Sequence, residues 1–155
     1  DRGHLAPAKA MSYNKQSISE SFLMSNMSPQ LPSFNRGIWK RLESQVRDWI
    51  AISDSLYVVT GPVLNSSLPT IGVNKVSIPK AYYKTILRFY RGDVNGIGFL
   101  LKHEKSSKKI ADFATSIDTI EKITGLNFFY LLDSVQQQKV ERNNSFNQFV
   151  KIKKN

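Results

Sequence analysis

Two stretches of the chain gather side chains able to do chemistry. In Asp1-Arg2-Gly3-His4 a carboxylate, a guanidinium and an imidazole crowd around a glycine, which lets backbone and ligand approach closely. In the second stretch Arg36, Lys40, Glu43 and Arg47 are spaced by 4, 3 and 4 residues. At about 100° per residue that spacing places all four on one side of a helix, a basic face with a single acid in it. An imidazole near neutral pH can take a proton from water, and a row of cations suits an anionic substrate. His103 is the only other histidine; it follows Gly98-Phe99-Leu100-Leu101-Lys102 beside charged residues and reads as an ordinary surface side chain. With no cysteine in the chain, disulfides, thiolate zinc sites, iron–sulfur clusters and cysteine nucleophiles are excluded.

The elements that must position these residues follow from the hydrophobic pattern. Phe22-Leu23-Met24, inside Ser21 to Asn26, predicts a short buried strand that Ser28-Pro29-Gln30-Leu31-Pro32 breaks. Ile38, Trp39, Leu42, Val46, Trp49 and Ile50 fall at helical spacing, so Arg36 to Ile50 is expected to be one amphipathic helix packed on a sheet. Leu56 to Thr60, ended by Gly61-Pro62, predicts a central strand. Val73 to Ile78, Tyr82 to Tyr90 and Gly96 to Leu101 continue the strands, with turn signals at Pro79 and Asp93-Val94-Asn95-Gly96. Ser116 to Gly125 has an N-cap, an acidic first turn and a glycine stop, the marks of a short helix, and Asp133 to Arg142 suggests another. Strands in blocks with flanking helices define an α+β class, with a mainly antiparallel central sheet.

The 155 residues, 41% of them hydrophobic, suit one globular domain with a real core. Twenty-two Lys and Arg against 12 Asp and Glu leave a net charge of +10, so polyanions are the natural partners. Lys105-Ser106-Ser107-Lys108-Lys109 and the basic end Lys151-Ile152-Lys153-Lys154 read as solvated surface. No apolar run approaches the roughly 18 residues of a membrane span, and no helix pairs a basic face with a large exposed apolar one, so a membrane partner is not expected.

Together with Asp1-Arg2-Gly3-His4, the stretches Leu23 to Gln30, Phe34-Asn35-Arg36-Gly37-Ile38-Trp39-Lys40-Arg41-Leu42-Glu43 and Arg47 make the chain similar to the DNA/RNA non-specific endonucleases of the endonuclease G and NucA type. The resemblance continues through Tyr57 to Pro62, Ile78 to Lys84 and Ser116 to Phe129. It implies a ββα-metal (His-Me finger) nuclease fold around one magnesium ion, with manganese as a substitute. It further implies His4 as general base, Asn35 as the direct metal ligand and Glu43 as holder of a metal-bound water. Arg2 and Arg47 look like the phosphate-binding arginines, with Arg36 and Lys40 as further substrate contacts; Asn26 matches a supporting asparagine and Asp1 a residue that shapes the motif loop. Arg36 departs from the glutamine of many relatives, and an arginine usual upstream of the motif has no counterpart here.

The helix geometry is compatible with that division of labour. Eight helical residues rise about 12 Å, so Asn35 and Glu43 are not expected to share one ion directly. Glu43 would reach it through water. The resulting expectation is hydrolysis of phosphodiester bonds in DNA and RNA, leaving 5′-phosphates; the alternative is a catalytically weak or silent nucleic-acid-binding module of the same fold. Because relatives build part of the sheet from residues before the motif, residues 1 to 155 are expected to be the C-terminal part of the nuclease domain, with an N-terminal segment missing or in a separate chain. A homodimer is a further partner expectation. The tail Ile120 to Phe129 looks like bacterial members, which favours a secreted or periplasmic protein over a mitochondrial one.

Overall fold

Residues 1–151 are described in the computed structural model; Ile152-Lys153-Lys154, read above as part of a solvated basic end, lie outside them. Hydrophobic alternation and helical spacing resolve into β1 (Arg2–His4), α1 (Lys15–Glu20), β2 (Met27–Pro29), α2 (Pro32–Phe34), a wide turn over Asn35–Trp39, α3 (Lys40–Ile50) and β3 (Ser55–Pro62). There follow β4 (Thr70–Ile71), β5 (Val76–Ser77), β6 (Ala81–Tyr90), β7 (Asp93–Lys102), β8 (Ala114–Thr115), α4 (Ile117–Thr124), α5 (Ser134–Arg142) and α6 (Phe146–Val150). The main sheet has the order β3-β6-β7-β8 with every pair antiparallel, and β1 pairs with β2 in a separate antiparallel ladder. This is the expected α+β arrangement.

Side chains alternate across the two long strands and divide the molecule into layers. Tyr82 and Ile86 of β6, with Ile97, Phe99 and Leu101 of β7, face Phe34, Trp39, Leu42 and Trp49 from the α2–α3 segment. Each of these large side chains contributes roughly 1.5–3 kcal/mol when fully buried. Tyr83 on the opposite face meets Ile117 and Ile120 of α4, and Leu87 meets Val140 of α5. Gly96 and Gly98 make that approach possible, because a Cβ at either position would press into Val140, Ile117 or Ile120. The helix over 117–124 is capped as its sequence predicts: Ser116 accepts from the Thr119 N–H, and Gly125 takes a φ of 72°. Asp133 likewise caps α5, accepting from Val135 and Gln136.

Several expectations are corrected. Phe22-Leu23-Met24 is no buried strand: the three side chains are exposed, Met24–Asn26 forms a 3-10 turn, and the ladder starts only at Met27. Ser28 and Pro29, expected to break a strand, lie within β2, which the proline tolerates because the pairing has an open side. Strand β3 includes Gly61-Pro62 and sits at the edge of the sheet rather than its centre, with Tyr57, Val58 and Val59 exposed. The Asp93-Val94-Asn95-Gly96 segment is strand, not turn; the hairpin reverses at Arg91 and Gly92, which both take positive φ (47° and 77°). Two left-handed residues in succession match the right-handed twist of the flanking strands better than a turn at Asp93 could.

Candidate active site

The site is assembled on β1, β2 and the helical segment that follows them, a ββα unit. Strand β1 lies so close to its neighbour that a Cβ on Gly3 would collide with the Gln30 side chain. Strand β2 is tied in turn to the main sheet: Ser28 Oγ is 2.8 Å from Tyr82 Oη, which donates to Pro29 O at 2.7 Å. Burial pushes the Tyr82 phenol up to about 12, so it stays a hydroxyl donor at any working pH. His103 is a structural pin rather than an ordinary surface side chain. Its Nε2 accepts from the Leu31 N–H at 2.7 Å, so Nδ1 carries the proton and donates to Pro79 O at 2.8 Å. That fixes the entry to α2, four residues ahead of Asn35.

The expected single face of Arg36, Lys40, Glu43 and Arg47 is divided. Between α2 and α3 the helix widens: Lys40 N–H reaches back to Asn35 O, and Gly37 leaves helical geometry (φ −100°, ψ −114°). A wide turn of this kind shifts the rotational register, which is why such turns mark functional sites. Glu43 and Arg47 border a cleft of about 550 Å³ with Asn26, Thr60 and Lys84, whereas Arg36 and Lys40 border a separate shallow depression on the outer side of the helix. Arg36 is engaged by Asp1, to which it donates from Nε at 2.9 Å and from Nη2 at 2.7 Å. Asp1 also accepts from Asn35 Nδ2 at 3.0 Å.

The polar side chains of this unit separate by what they bond. Asp1 is engaged by Asn35 and Arg36. Asn26 accepts from Ala6 N and donates to Ala6 O and Ser21 O, which fixes the loop after His4. By contrast Asn35 Oδ1 and the Glu43 carboxylate have no hydrogen-bond partner among the described residues. His4 stands edge-on to the Phe22 ring at 4.8 Å; its Nε2 is sealed from solvent without a partner, so Nδ1 is the nitrogen open to the site. Burial lowers the His4 pKa below 6.5 and keeps the ring neutral at pH 7. Burial raises the Glu43 pKa, against the opposing pull of Lys84 and Arg47. Arg47 is held by a 2.8 Å bond from Nη2 to Ser44 Oγ, and Arg2 is exposed on β1.

For a hard divalent ion, Asn35 Oδ1 is a fitting oxygen ligand. Its amide nitrogen is fixed by Asp1, which leaves the carbonyl oxygen without a partner, and magnesium tolerates a site with few protein ligands and several waters. A second group within reach of one cation is Asp118, Glu121 and Glu141, whose ligand atoms lie within 4.8 Å of one another. It sits beyond the sheet, among α4 and α5. The sequence reading missed that trio and also Lys84, whose only signal is a lone lysine inside the apolar run of β6.

Comparison with known proteins shows the family and the fold. The model of the DNA/RNA non-specific endonuclease family matches residues 1–135. The nuclease of Serratia marcescens is 38% identical over 133 residues, covering 81% of this chain and 49% of its own. Nuclease C1 of Cunninghamella echinulata var. echinulata is 33% identical, covering 86% of this chain and 58% of its own. A chain in the crystal structure of the EndoG/EndoGI complex superposes with a TM-score of 0.82 at 29% identity, over 88% of this chain and 61% of that one. The chain thus spans about half the length of the relatives it matches, from 40% to 58%. On the family match over residues 1–135, most of its length, the chain belongs to the DNA/RNA non-specific endonuclease family.

Proposed function

We propose that this chain is the catalytic part of a magnesium-dependent endonuclease that hydrolyses phosphodiester bonds of DNA and RNA and leaves 5′-phosphates. The observation that carries the reading is the division just described: Asp1 and Asn26 are engaged within the protein, while His4 Nδ1, Asn35 Oδ1 and the Glu43 carboxylate remain without partners. Neutral His4 accepts the proton of an attacking water at Nδ1. Asn35 Oδ1 would hold the metal ion, and Glu43 would accept hydrogen bonds from a water of that ion. When bound, the ion, magnesium or its substitute manganese, supplies positive charge to the phosphate and to the departing 3′-oxygen. Arg2 and Arg47 bind phosphate oxygens, contacts that carry no base information and therefore serve DNA and RNA alike. Arg36, paired with Asp1, acts by holding the motif loop, and Lys40 adds to the basic field outside the cleft.

The test is nicking of supercoiled plasmid with and without chelator. Cutting that stops on chelation supports the enzyme; a mobility shift with intact plasmid would assign the chain to a nucleic-acid-binding module instead.

The open edge of β3 extends the proposal. Its exposed Tyr57, Val58 and Val59 and unpaired backbone suit a further strand, which we assign to an N-terminal segment of a longer nuclease in a secreted or periplasmic setting. Extending the chain upstream should raise the melting temperature and specific activity. A cooperative melt and undiminished activity for residues 1 to 155 alone would defeat this assignment, and concentration-dependent dimerisation would give the edge to a second copy.

A further inference from the structure

Lys84 has no place in the chemistry above, yet it is the most buried cation beside the cleft. It is 2% exposed, its Nζ donates to Thr60 Oγ1 at 2.8 Å and lies 4.6 Å from the centre of the Trp39 ring, and it lines the cleft together with Glu43 and Arg47. A buried ammonium with only a hydroxyl and a ring face for company is costly, and the usual remedy is a direct carboxylate partner. Here that remedy is not taken. Among the described residues the one ion pair within 4.0 Å is Arg36–Asp1, so Lys84 and Glu43 act on each other across a gap. The arrangement leaves the Glu43 oxygens clear to face the substrate while the cation stays fixed by Thr60 and Trp39.

We propose that Lys84 is a positioning residue of this site, a fixed charge on the cleft floor that holds the Glu43 carboxylate as an anion aimed into the cleft. The inference rests on the nuclease reading for its consequence but not for its geometry. The ammonium is pulled down to about 8 by burial, with Glu43 opposing, so it remains mostly protonated at neutral pH.

The experiment pairs a metal-free measurement with a kinetic one. In protein without metal or substrate, the carboxyl ¹³C resonance of Glu43 is titrated in wild type and in Lys84→Met, a variant of similar shape without the charge. The Glu43 midpoint should move up by roughly half a unit or more, as loss of a nearby opposite charge requires. An unchanged midpoint overturns the proposal whether or not the protein cuts nucleic acid. In plasmid cleavage, Lys84→Met should lower kcat about 10- to 100-fold with KM within about threefold, and the loss should shrink to under about threefold in a Glu43→Gln background. Losses that multiply in the double variant, or a raised KM with unchanged kcat, would overturn it. If Lys84→Met does not fold, Thr60→Val, which frees the lysine from its hydroxyl anchor, should give the same coupling to Glu43→Gln at smaller size, and its absence counts equally against the proposal. Failure of the wild-type protein to cut would instead defeat the nuclease reading and leave the titration to decide on Lys84.

Discussion

The two faces of the main sheet both carry acidic side chains near the helices packed on them, one in the cleft on one side and three together on the other, and they differ in what those side chains are doing. On the α3 side there is one carboxylate in the cleft, Glu43, with cations around it and no hydrogen bond from the protein. On the α4–α5 side three carboxylates stand together, but Glu121 accepts from the Phe128 N–H at 2.6 Å and Glu141 from Gln137 Nε2 at 2.8 Å. The larger collection of carboxylates is therefore the one already engaged in holding helices and the chain after α4. The comparison teaches that chemical capacity is measured by groups left without partners, and a single half-buried acid beside a lysine and an arginine outranks a trio of which two are tied into the frame.

The widest gap between the two faces should appear at the proposed base. His4→Ala is expected to reduce turnover by at least about 100-fold while nucleic-acid binding in a mobility-shift assay stays nearly intact. A loss under tenfold in a folded variant would remove His4 from the role. Because burial lowers the His4 pKa, the acid limb of the kcat/KM profile should lie below pH 6.5 in the wild type. His103 is also lowered, so both rings resist protonation in the folded protein: the unfolded chain takes up protons first, and stability should fall as pH drops below 6.5.

The next contrast lies within the cleft side itself. Asn35→Ala should weaken magnesium binding more than Glu43→Ala, since only Asn35 is assigned a direct contact; equal metal affinities by titration would sink that ordering. Arg47→Ala should lower the salt dependence of nucleic-acid binding by about one unit of slope, whereas an unchanged slope would make Arg47 an ordinary helix-surface residue. The smallest effect belongs to the other face. Burial and the neighbouring Glu121 and Asp118 raise the Glu141 pKa above 4.5, so its charged form destabilises the fold at neutral pH, and its own contribution to stability improves as pH falls toward 4.5, offsetting part of the loss from His4 and His103. Glu141→Gln should thus raise the melting temperature slightly at pH 7 and leave cleavage within about twofold. A large loss of cleavage there would abolish the distinction between the faces.

Much of this was legible in the residues, and the exceptions have physical causes. The Asp-Arg-Gly-His motif, the apolar stripe of Leu42 and Trp49 and the caps at Ser116, Gly125 and Asp133 act locally, and local rules read them. Asp93-Val94-Asn95-Gly96 has turn composition, yet pairing along ten-residue strands β6 and β7 overrode it and moved the reversal to Arg91-Gly92. Phe22 and its neighbours are apolar without being core, because Phe22 serves as a wall for the His4 ring. Lys84 and His103 were illegible because their importance lies in contacts across the fold, to Thr60 and Trp39 in one case and to Leu31 and Pro79 in the other. The division of Arg36 and Lys40 from Glu43 and Arg47 could not be read from spacing, since spacing assumes an uninterrupted helix.

That interruption makes the site a matter of counting as well as chemistry. The wide turn over Asn35–Trp39 works like an extra tooth between two gears: it sets the angle between the part that presents Asn35 to Asp1 and the part that presents Glu43 and Arg47 to the cleft. Each residue of a helix is worth about 100° of rotation. Deleting Gly37 would keep the working side chains named above and still swing one half away from the other, so this chain's tolerance for a change of length should be lowest within these five residues.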